Sequence, residues 1–170
     1  MIKSIYPRIH LRDWKNILPE SPMGKRYTNL NNLISDVKSD IEKTLKNEVF
    51  DEVRNIELEN VQKDVLDVYS PKDYVRRQQM GIDDPQNIVG MVSGGELVVD
   101  NVTPFNPDYF TANRGIGLAE LINYGNGRFY YDYPGAFERP RPFIDRARIE
   151  VAKSDRIKKA LEKGMKKKGW

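Results

Sequence analysis

Ile88-Val89-Gly90-Met91-Val92-Ser93-Gly94-Gly95-Glu96-Leu97-Val98-Val99 is the stretch whose reading decides the fold. Apolar residues recur with period 2 on either side of a glycine-bearing turn, which predicts two strands joined by a tight hairpin near 88–99. Upstream of Asp84-Pro85 the apolar period is helical instead. The change of period therefore separates a helical first half from a strand-bearing second half.

Working back from the hairpin, Thr28 or Asn29 is a good N-cap for a helix with apolar residues at Leu30, Leu33, Ile34, Val37, Ile41, Leu45 and Val49. The pattern continues less regularly through Val53, Ile56, Val61, Val65 and Val68. This predicts a long helix to about residue 48, then a second helix or a kinked continuation to about 66. Ser70-Pro71 reads as an N-cap with proline at the first helical position, opening a short helix 71–79 that Gly81 stops. Residues 1–28 carry Pro7, Pro19, Pro22 and Gly24 without a clean period, yet contain Tyr6, Trp14, Ile17 and Leu18. They read as an extended arm, with one short strand around Ile5–Leu11, packed on its own domain or on a neighbour.

Downstream, Pro104 and Pro107 punctuate an irregular stretch to Asn113, and Leu118–Tyr124 fits a short helix or a strand. Arg128-Phe129-Tyr130-Tyr131-Asp132-Tyr133 reads as a strand ending at Pro134-Gly135. Arg139-Pro140-Arg141-Pro142-Phe143-Ile144-Asp145-Arg146-Ala147 enters a C-terminal helix with its angle set by two prolines and its start ringed by positive charge. Phe143, Ala147 and Val151 share one side of that helix. Ser154-Asp155 restarts it toward Ile157, Ala160 and Leu161, and Gly164 and Gly169 predict a frayed Lys166-Lys167-Lys168. The organisation is an arm over 1–28, one domain over 29–165 and a basic tail over 166–170.

Composition narrows the function classes. Of 170 residues, 39 % are hydrophobic and 31 % charged, enough for a modest core, so part of the chain is expected to gain order from partners. The absence of cysteine excludes a disulfide scaffold, a thiolate zinc site and a cysteine nucleophile, and suits a reducing cytoplasm. The first residues lack a continuous apolar h-region, and no run of about 18 apolar residues occurs, so neither a signal peptide nor a membrane span is expected. The net charge of +3 conceals an asymmetry: residues 1–28 hold six cations and two acids, 139–170 twelve and four, and the middle ten and nineteen. Basic ends on an acidic middle allow head-to-tail contact between copies, and equally contact with nucleic acid.

No catalytic constellation emerges. His10, the one histidine, sits in the arm without a ligand set around it. Gly115-Ile116-Gly117-Leu118-Ala119-Glu120 starts like a dinucleotide fingerprint, but Glu120 replaces the third glycine and no buried strand precedes it. Asp83-Asp84 and Asp51, Glu52, Glu57 and Glu59 are explained as a solvated acidic face without a metal. Arg76 and Arg77 are candidates for a subunit or phosphate contact. Tyr130 and Tyr131, within the aromatic set Phe129–Phe137, suit a sheet face plus an interface. No cofactor and no enzymatic activity are expected.

Several of these segments together resemble one family. Tyr69-Ser70-Pro71-Lys72-Asp73-Tyr74-Val75-Arg76-Arg77, followed by Gly81-Ile82-Asp83-Asp84-Pro85-Gln86-Asn87-Ile88, is similar to the "Y-S-P-x-x-Y-x-R-R … G … D … N-I" stretch of small structural proteins of tailed bacteriophages. Leu118-Ala119-Glu120-Leu121-Ile122-Asn123-Tyr124-Gly125 and Arg141–Ala147 resemble the "Y-A-x-x-V-E-x-G … R-P-F-x-x-P-A" pair of the phage tail-completion or head–tail joining (neck) proteins. The resemblance runs from about residue 30 to 165, and order and spacing agree. Asn123 stands where that family usually has glutamate, and Arg146 where it often has proline.

The resemblance implies an α+β fold: a long N-terminal helix and a small, mostly antiparallel sheet with a C-terminal helix packed on it. It implies a structural virion protein that forms a ring in the neck or tail end, around a channel for genomic DNA. Its partners would be copies of itself, portal, adaptor or stopper proteins, and tail-tube or tail-terminator proteins, assembled in the bacterial host cytoplasm without a membrane. Arg139, Arg141 and Arg146 would then pair with acids of an adjacent copy, with Pro142 and Phe143 as the structural anchor of the helix entry. The alternative expectation is a nucleic-acid-binding accessory protein that uses the basic C-terminal segment.

Overall fold

The computed structural model describes residue 27 and residues 29–68, 80–104, 117–125 and 139–170. The arm with its strand and His10, the short helix 71–79 with Arg76 and Arg77, residues 115–116 and the strand 128–133 with Tyr130 and Tyr131 lie outside the described residues.

The architecture is α+β, with a long helical N-terminal stretch, a two-stranded antiparallel sheet and C-terminal helices. Helix α1 (Leu30–Thr44) starts at Asn29, whose extended backbone and Oδ1, accepting from the Asn31 N–H at 2.8 Å, make it the N-cap. A π-helical turn (Leu45–Val49) leads into α2 (Phe50–Val61), and a second π turn (Gln62–Leu66) closes the run. The expected break near residue 48 is this first wide turn.

Its cause is the spacing of the apolar row. Buried Val37, Ile41, Leu45, Val49 and Val53 lie four apart, and Ile56, Val61 and Val65 lie five and four apart. In an α-helix of 3.6 residues per turn, each step of four drifts by about 40°. Over the first five positions the row would wander almost to the opposite face. Wider i→i+5 turns return it to the core side. The first turn of α1 escapes this logic: Leu30 and Ile34, expected on the apolar face, are 68 % and 43 % exposed. Glu57 corrects the expectation of a solvated acidic face, since it is buried and accepts from Asn101 Nδ2 at 2.8 Å.

Asp84 opens a 3₁₀ turn (Pro85–Asn87), its Oδ1 accepting from the Gln86 N–H and its Oδ2 from the Met80 N–H. Strands β1 (Ile88–Ser93) and β2 (Glu96–Asn101) follow. Gly94 and Gly95 have φ of 60° and 80°, the pair of left-handed residues that a type I′ hairpin turn requires. Leu97, Val99 and Asn101 alternate inward on β2. Leu118–Tyr124 is a helix, α3, in keeping with its leucine, alanine and glutamate. The C-terminal region forms α4 (Phe143–Lys153) and α5 (Arg156–Lys167), broken at Ser154-Asp155.

The chain forms two compact units. Of the described residues, the first holds those up to Val53, Gly90–Val99 and Lys153–Trp170; the second holds those within 54–89 and 100–152.

In the first unit α5 lies against α1 and the first π turn. Thr44 Oγ1 donates to the Asp40 carbonyl at 2.7 Å and lies 3.6 Å from Met165 Sδ. Arg156 pairs with Glu52, and Lys167 and Lys168 reach Glu48 at 3.1 and 3.8 Å. The end of the chain is not frayed, contrary to the glycine-based expectation. Trp170 is buried, its Nε1 donates to Asp40 Oδ2 at 3.0 Å, and its ring stacks on Tyr27 at 6.4 Å. Burying an indole with its N–H satisfied outweighs the flexibility that two glycines confer.

The Glu48 clamp is sensitive to acid. Burial pushes its carboxyl pKa up, but the Lys167 hydrogen bond, its own backbone N–H and the charges of Lys168 and Lys167 together hold it below the ordinary 4.5. A depressed folded-state value stabilises above pH 4.5 and is lost as pH falls through the folded value. Trp170 emission, read in a Trp14→Phe background, should therefore change below pH 4.5 while staying flat from pH 5 to 7. Glu48→Gln should remove that step.

Candidate functional site

The second unit contains the corner at which Leu118–Gly125 and Arg139–Ala147 meet. Helix α3 ends at Gly125, whose N–H donates to the Leu121 carbonyl at 2.8 Å. Arg141 N–H donates to the Ile122 carbonyl at 2.9 Å, so the backbone entering α4 is tied to the backbone leaving α3. Pro142 fixes φ and lacks an N–H, which suits the turn just before a helix. The next free N–H of α4, that of Ile144, is taken by Asn123 Oδ1 at 2.9 Å. A side chain from one helix thereby caps the next, satisfying a donor with no partner inside α4.

The same amide explains why asparagine occupies this position. Asn123 Nδ2 donates to Asp145 Oδ2 at 3.1 Å. A glutamate, as the phage pattern usually has, would set carboxylate against carboxylate here. The amide accepts from the backbone and donates to Asp145 at once. Asp145 also sits in the first turn of α4, where a negative charge complements the helix dipole, and it lies 3.7 Å from Arg148 Nη1.

Phe143 is 0 % exposed and is the largest fully buried side chain among the described residues. Ile144, Ala147, Leu118, Ala119, Leu121 and Ile122 are buried in the same unit. At the entrance, Arg139 is exposed, and Arg141 and Pro142 are half-buried.

Arg146 binds the buried Asp64 carboxylate of its own chain, which the second π turn presents. Here a proline would lose an ion pair. The basic end and the acidic middle also meet within the chain. Arg146 with Asp64, Arg156 with Glu52, and Lys167 and Lys168 with Glu48 are all pairs between the basic end and the acidic middle of one chain.

Sequence reasoning passed over Asp64, Asn60 and Asn101, and singled out Asn123 only as a departure from the phage pattern. Asn60 donates to the Ile56 carbonyl at 2.8 Å and to Glu150 Oε2 at 3.2 Å. The available signal was the irregular apolar row after Val53, where polar residues occupy buried positions at helical spacing. Among the described residues, no group of three histidine, aspartate or glutamate side chains could hold a metal ion. No described helix is long and apolar enough to cross a membrane.

Residues 29–167 match the model of the YomN family. The chain belongs to the YomN family. This is a phage-associated family. The match opens at Asn29, the N-cap of α1, and closes at Lys167, the last residue of α5, so it spans the helical framework of this YomN-family chain. Neither a curated protein nor a solved structure matches it.

Proposed function

We propose that this YomN-family protein is a structural virion component of a tailed phage: a ring-forming subunit of the neck or tail end that joins the head to the tail around a DNA channel. The observation that carries the reading is the corner between α3 and α4. The two segments that resemble the neck-protein motif pair are joined through Arg141 N–H and Asn123, with Phe143 sealed beneath them. Such a corner holds its shape when pressed from outside, and Arg139 stands exposed on its rim. A docking element that must meet a neighbour without reorganising benefits from this rigidity, because little ordering entropy is lost on contact. The phage-associated family agrees with this setting.

In this reading Arg139 and Arg141 face a neighbouring subunit, whereas Arg146 acts within the chain as a brace on Asp64. Arg76, Arg77, Tyr130 and Tyr131 remain candidates for the same interface. The mechanism is mechanical and includes no enzymatic step.

The test is charge reversal. Arg139→Glu with Arg141→Glu, introduced into the phage genome, should leave separate heads and tails in electron micrographs and lower the infectious titre by at least about 100-fold. The purified double variant should keep its circular dichroism. Normal joined particles carrying the double variant would overturn the assignment of these arginines.

A further inference from the structure

The outer face of α5 is made of charge alone. Lys158, Lys159, Lys163 and Lys166 are exposed, with Asp155 and Glu162 beside them. Lys159, Lys163 and Lys166 follow one another at helical spacings of four and three, a straight row about 10 Å long. Across the helix, the carboxylates of Glu52, Glu48 and Asp40 are engaged by other groups. Glu52 holds Arg156, Glu48 holds Lys167 and Lys168, and Asp40 accepts from Trp170. None of the ion pairs among the described residues involves the outer lysines.

We propose that this outer face of α5 is a docking surface for the phosphate backbone of nucleic acid. Three considerations favour that occupant over an acidic protein. Protein interfaces are depleted in lysine and centre on buried aromatic or apolar anchors, and positions 155, 158, 159, 162, 163 and 166 supply neither. Lysine presents a compact point charge without the directional fork of arginine, which suits phosphates met in any register. A row of equal charges also matches a rod whose strand carries one negative charge per about 3.4 Å. No aromatic side chain interrupts the row to stack on a base, so the contact reads charge and not sequence.

The inference does not depend on the connector reading, and its test uses purified full-length protein. The probe is a fluorescent 30-base-pair duplex of arbitrary sequence, titrated between 50 and 200 mM salt. The native chain should bind, and Lys159→Glu/Lys163→Glu/Lys166→Glu should weaken binding at least about tenfold while flattening the salt slope by roughly three. Lys38→Glu/Lys46→Glu/Lys63→Glu changes net charge equally at exposed lysines outside α5 and should retain binding. Circular dichroism checks that both variants stay folded; if the reversed α5 variant unfolds, the corresponding Lys→Gln triple should show a smaller drop in the same direction. Absence of binding by the native chain, equal losses in both variants, or poly-glutamate displacing the duplex at equal charge concentration would each overturn the proposal.

Discussion

Phe143→Ala should destabilise the chain by about 3–5 kcal/mol, the largest effect expected of any single truncation here. The side chain has no exposed surface, so the full transfer energy of the ring is lost. The cavity term should also be near its upper end, because the backbone on either side is held. Pro142 cannot adjust its φ, Arg141 N–H is tied to Ile122 O, and Ile144 N–H is tied to Asn123. A site that cannot collapse keeps its void. Urea unfolding of the full chain measures the effect, with Phe143→Leu as a milder reference. A loss below about 1 kcal/mol would mean that the corner does not depend on this ring.

Gly164→Ala is the second large effect, and its sign opposes helix propensity. In an exposed helix interior alanine would gain about 1 kcal/mol over glycine. At Gly164 a Cβ would lie 2.3 Å from Thr44 Cγ2 and 3.0 Å from Glu48 Oε2. The glutamate tip can swing aside, but the threonine methyl cannot, since Thr44 Oγ1 is held by the Asp40 carbonyl. Helix α5 must then lift from α1, at an overpacking cost of about 1–3 kcal/mol that exceeds the propensity gain. The expected net loss is up to about 2 kcal/mol, together with a shift in Trp170 emission. In a Thr44→Ser background, which removes the methyl and keeps the hydroxyl, Gly164→Ala should become neutral or stabilising. A double-mutant cycle showing no coupling would refute the close approach as the cause.

Local chemistry was legible, whereas long-range partnership was not. Asn29 as a cap, Gly94-Gly95 as a hairpin turn and Ser154-Asp155 as a helix break each depend on a few adjacent residues, and the structure has all three. Leu118–Tyr124 stayed open because a seven-residue apolar segment fits either period. Trp170 looked like the end of a frayed tail because its partners, Asp40 and Tyr27, lie more than 120 residues away in sequence. The candidate site shows the same division. The stiffness of Pro142 and the apolar character of Phe143 can be read directly, but the cap on Ile144 comes from Asn123, and the brace on Arg146 comes from Asp64, 82 residues distant. Charge counting found the basic end and the acidic middle without showing that they satisfy each other inside one chain.

The stack of Tyr27 on Trp170 has a topological consequence. It brings the first described residue against the last. Tyr27 is thereby held beside the end of α5. A label carried at residue 27 would therefore report on the end of α5.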